Sequence, residues 1–289
     1  LHGQDYLEYL LPVLKEHFQG CAQILFIPYA RPGGISHDEY TELARKAFEK
    51  AGLNIKGIHE FENAADAVAE AEGIFTGGGN TFLLVEQLYY HNLLKPLREA
   101  IEKGTPYLGT SAGTNIGGLT MKTTNDMPIT EPDSFHALNL VRFQINPHYL
   151  DAHPEGHAGE TREMRIKEFL IVNPYVYTIG LREGSKLLVE RGDIKLLGNK
   201  NARIFKNEEE PAELGAVATW LSSVEDGGWE AKLTYHFYLP ENQKDAFTEL
   251  IDGEPNQTSF WRAVEQVLPR YTARIDAGVA GEEGPGSQR

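Results

Sequence analysis

The sequence predicts an α/β fold, a mostly parallel sheet with helices on both faces. Two observations carry that prediction. Short, continuously apolar runs of strand length alternate with amphipathic helical stretches along most of the chain, the pattern left by repeated strand–helix–strand crossovers. The strand-like runs also end in glycine-rich or polar clusters. Right-handed crossovers bring such clusters together on one edge of the sheet, where ligands usually bind.

In chain order, Tyr6, Leu7, Leu10, Leu11, Leu14 and Phe18 repeat at helical spacing, and Gly20 supplies a stop. Ala22 to Tyr29 is apolar almost throughout, as a strand covered on both faces should be. After Arg31-Pro32-Gly33-Gly34, Ser36 and Glu39 form a capping box. The helix they open carries Tyr40, Leu43, Ala44, Ala47 and Phe48 on one side and ends at Gly52. Ile55 to His59 reads as a short strand, Ala64 to Ala71 as a helix of small residues, and Gly73 to Thr76 as a strand running into Gly77-Gly78-Gly79-Asn80-Thr81. Two helical stretches follow, the second interrupted near Pro96 and ended by Gly104. Pro106 to Thr110 is the next strand, and Met121 to Glu131 a polar loop.

Val141, Phe143 and Ile145 then alternate into a strand that ends at Asn146-Pro147-His148. Gly159 to Leu170 is a charged amphipathic helix, and Tyr177 to Leu181 a strand stopped by Arg182-Glu183-Gly184. Lys186 to Arg191 and Ile194 to Leu197 make a hairpin about Gly192-Asp193, with Ala202 to Phe205 as a further strand. Pro211, in an acidic stretch, closes an α/β domain of residues 1–210. Residues 211–275 form an extension, with a strand at Leu233 to Leu239 and a helix at Ser259 to Leu268, and residues 276–289 read as a disordered tail.

A net charge of -15 and a pI near 5.1 argue against nucleic acid, which needs a basic footprint, and against a polybasic membrane contact. No run approaches a transmembrane span. The single cysteine, Cys21, cannot make an internal disulfide and suits a reducing, cytoplasmic setting.

The chemistry centres on Gly109-Thr110-Ser111-Ala112-Gly113. A strand, then G-x-S-x-G, then a helix start is the layout of a nucleophile elbow, which lifts a serine hydroxyl clear of the sheet. The N–H of Ala112 would face an oxyanion there, and the Gly78-Gly79 turn can direct further N–H groups outward. Asn80 caps the next helix and also lies within reach of a ligand at that turn. The alternative reading is an ordinary strand–turn–helix with a capping serine. His148, at a strand end, is the natural general base. Two acids could orient it: Glu183, which also closes a strand, and Asp126, in the polar loop. His153 and His157 have zinc-pair spacing, but Pro154 and Gly156 break the helix that would align them, so no metal is expected. No phosphate-binding loop or dinucleotide fingerprint is present, and no cofactor is implied.

Six ordered stretches carry a resemblance: G-G-G-N-T-F from Gly77, G-T-S-A-G-T-N from Gly109, T-T-N-D-M-P-I from Thr123, Q-I-N-P-H from Gln144, G-E-T-R-E from Gly159 and G-L-R-E-G from Gly180. Over residues 1–206 the chain resembles peptidase E, the α-aspartyl dipeptidase family. The resemblance implies a fold related to the class I glutamine amidotransferases (flavodoxin-like) and a serine dipeptidase for small Asp-Xaa peptides; either a monomer or a homodimer is expected. It implies Ser111 as nucleophile and His148 as base, and offers both Asp126 and Glu183 as the acid. It favours Arg162 as the partner of the substrate carboxylate, a role an arginine fork suits better than lysine, with Arg182 in reserve. The family's opening strand is expected to lie upstream of Leu1. Other readings are a serine hydrolase acting on a β-aspartyl polymer or an ester, and an inactive binding protein on the same fold.

Overall fold

The continuous apolar runs become the inner strands of a parallel sheet. In the computed structural model, which describes residues 6–151, 159–190 and 193–214, β1 (Ile24–Ile27), β2 (Ile55–Gly57), β3 (Gly73–Thr76) and β4 (Tyr107–Gly109) pair in the order β2-β1-β3-β4, all parallel. Side chains alternate across the strands. Ile24, Phe26 and Phe75 pack on one face with Leu14, Phe18, Tyr40, Ala44 and Phe48, from α1 (Leu11–His17), its following turn and α2 (His37–Lys50). Leu25, Ile27 and Ile74 pack on the other with Val68, Leu84, Val85, Leu88 and Leu97, from α3 (Ala64–Ala69), α4 (Thr81–Tyr90) and α5 (Leu94–Glu102). Helices therefore cover both faces, as the alternation predicts.

A second sheet has the order β10-β9-β6-β5. Here β5 (Gln144–Pro147) is parallel to β6 (Thr178–Leu181), while β9 (Ala202–Phe205) and β10 (Ala212–Leu214) run antiparallel to their neighbours. Between the sheets in sequence lies α6 (Ala112–Asn115), and α7 (Arg162–Val172) joins β5 to β6. The strands β7 (Ser185–Glu190) and β8 (Asp193–Gly198) form a separate two-stranded sheet. By its contacts the chain divides into two units, residues 1–186 with 198–216, and residues 187–197 with 217–289. Everything described below belongs to the first.

Several local readings differ from the structure. Pro96 does not interrupt a helix, because it is the third residue of α5, where the missing N–H has no partner to lose. The break lies earlier, at Asn92, whose φ of 54° turns the chain after α4. Leu43, placed on the inner side of α2, is 37% exposed, and Thr41 is buried instead. β10 follows Pro211 at once and pairs with β9. The expected strand at 233–239, the helix at 259–268 and the tail from 276 lie outside the described residues, as do His153 and His157.

Candidate active site

Sheet register decides which strand ends meet. Thr76 is opposite Gly109, so the glycine turn after β3 and the serine turn after β4 leave the sheet side by side. Pro147 is opposite Leu181, so His148 and Glu183 likewise emerge together.

Ser111 has φ 53° and ψ -109°, and its side chain makes no capping hydrogen bond to α6. A non-glycine residue held there costs about 1–3 kcal/mol and persists only where its surroundings over-determine it. They do. Thr110 N–H donates to Thr76 O (3.1 Å), Gly113 N–H to Thr110 O (2.9 Å) and Asn115 N–H to Ser111 O (2.9 Å). Thr114 Oγ1 donates to Gly109 O (2.7 Å) and the Tyr107 hydroxyl to Gly113 O (2.8 Å). Both flanking glycines are sterically required. A Cβ on Gly113 would lie 2.5 Å from Thr76 O, and one on Gly109 would fall on Gly113 O. Because those obstacles are backbone, Gly109→Ala is expected to cost about 2–4 kcal/mol, seen as a large fall in thermal midpoint. An unchanged midpoint would contradict the tight elbow.

His148 spans the gap between the two sheets' loops. Its Nε2 lies 2.9 Å from Ser111 Oγ and its Nδ1 3.0 Å from Glu183 Oε1. A carboxylate can only accept, so the Nδ1 proton donates to Glu183 and Nε2 is left to accept from the serine hydroxyl. The bland alternative of a capping serine is thus replaced by a continuous Ser111–His148–Glu183 hydrogen-bond chain. His148 and Glu183 side chains are 50% and 56% exposed, so the chain stands at an open surface.

Asp126 takes a different place. Its Oδ2 accepts from Thr81 N–H (2.7 Å), Thr81 Oγ1 (2.6 Å) and Thr124 Oγ1 (3.0 Å), putting a negative charge on the N-terminus of α4. The loop that carries Asp126 ties the two loop groups together. Asn125 Nδ2 donates to Pro147 O (2.7 Å) just before His148, and Asn146 Nδ2 donates to Asn125 Oδ1 (2.8 Å). On the other side Asn80 Nδ2 donates to Met127 O (2.9 Å), while Asn80 Oδ1 accepts from Leu83 N–H as the α4 cap.

A Cβ on Gly78 would lie 2.9 Å from the Ser111 Cβ, so the glycine turn abuts the serine. Among the described residues, the N–H groups of Gly78, Gly79 and Ala112 have no acceptor within the protein. Unsatisfied N–H groups on the residue after a strained serine and on the glycine turn that abuts it can stabilise a developing oxyanion.

The model of peptidase family S51 matches residues 1–197. The chain belongs to this family. It is 46% identical over 215 residues to a peptidase E of Shewanella amazonensis, covering 74% of this chain and 90% of that one. It is 44% identical over 224 residues to a probable alpha-aspartyl dipeptidase of Drosophila melanogaster, covering 75% and 91%. The crystal structure of a peptidase from an acI-B1 Actinobacterium superposes with a TM-score of 0.55 at 18% identity, over 74% of this chain and 91% of that one, and so shares the fold.

In this S51 peptidase the two candidate arginines have unlike surroundings. Arg182 uses all five donors: Nε and Nη2 go to Asp151 (2.8 and 2.5 Å), Nη1 to Asn201 O (2.7 Å), and Nη1 and Nη2 to Glu213 (2.8 and 2.9 Å). Those bonds hold Asp151 and Glu213 below the usual carboxylate range. Arg162 opens α7, and no ion pair to its guanidinium is found among the described residues. Partial burial pulls its pKa down, with Arg165 adding to the fall, and Asp126 pulls it back up. The charge of Arg162 therefore lies beside the Asp126 loop. Tyr9 was missed in the sequence. Burial raises its pKa, and the Glu183 carboxylate adds to the rise.

Proposed function

We propose that this S51 peptidase is a serine dipeptidase that releases N-terminal aspartate from Asp-Xaa dipeptides, with Ser111, His148 and Glu183 as its catalytic triad. The single observation that carries the reading is the unbroken hydrogen-bond chain ending on a serine held at φ 53°. Ser111 Oγ gives its proton to His148 Nε2 and attacks the aspartyl carbonyl. Glu183 holds the Nδ1 tautomer and stabilises the imidazolium that forms. The N–H of Ala112 and those of Gly78 and Gly79 receive the negative oxygen, at a few kcal/mol per donor in comparable sites. His148 then protonates the leaving amine, and a water deprotonated by His148 hydrolyses the aspartyl ester on Ser111.

Arg162 is the group we assign to the substrate β-carboxylate. It is a cation whose fork has no carboxylate partner among the described residues, whereas every Arg182 donor is already engaged. The assigned specificity also draws on the Drosophila relative, a probable alpha-aspartyl dipeptidase. Purified full-length protein should cleave Asp-Leu and leave Ala-Leu nearly untouched. Arg162→Ala should lower kcat/KM for Asp-Leu roughly 100-fold, the effect of losing a charge-assisted bidentate pair, mainly through KM. Equal turnover of the two dipeptides by the parent protein would end the aspartate assignment.

Among the described residues no helix is long and apolar enough to cross a membrane. The free thiol of Cys21 supports the cytoplasm as the compartment.

A further inference from the structure

We infer that Tyr40 is a positioning residue for the hydrolysis, its hydroxyl fixing the Gly78–Gly79 peptide so that the Gly79 N–H stays turned to the oxyanion. The inference rests on the oxyanion reading given above and concerns how that site is kept ready.

The glycine turn is pinned at its two ends. Gly77 N–H donates to Ile27 O (3.2 Å) and Asn80 N–H to Ala30 O (2.7 Å). Neither bond restrains the peptide between Gly78 and Gly79. That peptide is flanked by two residues without Cβ atoms, so its plane can rotate through conformations closed to other residues. Gly79 already sits at φ 147°. A flipped peptide would present a carbonyl oxygen where an N–H is needed, which removes one donor and adds repulsion.

One side chain holds this peptide. The Tyr40 hydroxyl donates to Gly78 O at 3.0 Å. In a trans peptide the C=O and N–H point in opposite directions, and the chain has no cis bonds among the described residues. Fixing the Gly78 carbonyl toward Tyr40 thus sends the Gly79 N–H the other way, where it has no protein acceptor.

Tyr40 itself has little freedom. It is fully buried, its ring meets Phe26 edge-on at 5.1 Å, and the Arg31 guanidinium lies over it at 4.9 Å. The Tyr6 hydroxyl donates to the Tyr40 oxygen at 3.1 Å. That leaves the Tyr40 proton for Gly78 O and polarises it in the same direction. Burial and the neighbouring Tyr40 push the Tyr6 pKa well up, so Tyr6 keeps the proton it donates. Gly77 completes the fit, since a Cβ there would lie 2.5 Å from the Tyr40 hydroxyl.

The test compares full-length protein with Tyr40→Phe and Tyr6→Phe, using Asp-Leu kinetics, thermal melts and two ligands. One is a boronic acid analogue of aspartate, whose boron accepts Ser111 Oγ and places a tetrahedral oxygen at the oxyanion position. The other is aspartate, which makes no tetrahedral adduct. Tyr40→Phe should lower kcat roughly 10- to 100-fold, below the 10²–10³ for outright loss of a donor, and leave KM nearly unchanged. It should weaken the boronate by the same factor and leave aspartate binding as it was. Tyr6→Phe should lower kcat a few-fold, with a correspondingly smaller loss of boronate affinity. The inference is overturned if both variants keep the parent kcat, or if Tyr40→Phe loses boronate and aspartate affinity equally, the mark of general disorder. If the parent protein neither cleaves Asp-Leu nor binds the boronate, the underlying peptidase reading fails first and the inference goes with it.

Discussion

Ser111→Ala is expected to remove Asp-Leu hydrolysis almost entirely, lowering kcat by about 10⁵- to 10⁶-fold, as loss of the nucleophile does in other serine peptidases. A serine kept at φ 53° by five hydrogen bonds around the turn is an expensive arrangement with no capping function to justify it. Alanine removes only Oγ, and it accepts this conformation no better or worse than serine does. The variant should therefore fold, melt within a few degrees of the parent and still bind aspartate. A fluorophosphonate should label the parent on Ser111 and leave the variant unlabelled. A folded variant that kept its turnover would show that another group attacks the substrate, and the triad assignment would fall.

How much of this was legible before the structure depends on the range of the interaction. The capping box at Ser36 and Glu39 could be read because its two hydrogen bonds close over three residues. The alternation of Leu25 and Ile27 with Ile24 and Phe26 to opposite faces follows from a period of two, which any strand imposes. His148 could be placed at a strand end for the same local reason. Register could not be read. Only the pairing of Pro147 with Leu181 brings Glu183 to His148, and nothing in either segment alone specifies it. Arg182 and Glu183 follow β6 in a turn closed by Ser185 N–H to Arg182 O (3.1 Å); Glu183 meets His148 there, while Arg182 bonds Asp151 and Glu213.

Tyr40 was hidden in another way. It sits in a helical stripe with Ala44, Ala47 and Phe48 and reads as core, which it is. The overlooked signal was chemical. A tyrosine in a fully apolar stripe must find a partner for its hydroxyl, and the glycine turn at the end of the adjacent strand was the nearest unsatisfied backbone. Asn125 belongs to the same class, since its partner Pro147 O is 22 residues away, at the end of β5.

The two acids can be separated by what else each change disturbs. Glu183→Gln should lower kcat by about 10²–10³, less than the roughly 10⁴ found when a buried orienting acid is neutralised, because Glu183 is 56% exposed and solvent can partly replace its charge. Its thermal midpoint should hardly move, since among the described residues its hydrogen-bond partner is the imidazole alone. The amide nitrogen of glutamine would favour the tautomer with the proton on Nε2, which cannot take the serine proton. Asp126→Asn should act differently. It replaces a charged carboxylate, one oxygen of which serves three donors including an N–H in the first turn of α4, with a neutral amide, and so should cost about 1–2 kcal/mol of stability. Any loss of rate would then pass through the loop that Asn125 and Asn80 tie to Pro147 and Met127. In that case the shape of the pH–rate profile, set by the imidazole and its acid, should survive in Asp126→Asn and change in Glu183→Gln. Should Glu183→Gln keep its full rate while Asp126→Asn loses several decades at an unchanged thermal midpoint, the proton on Nδ1 must be held by Asp126 during turnover, and the loop would have to move to bring it there.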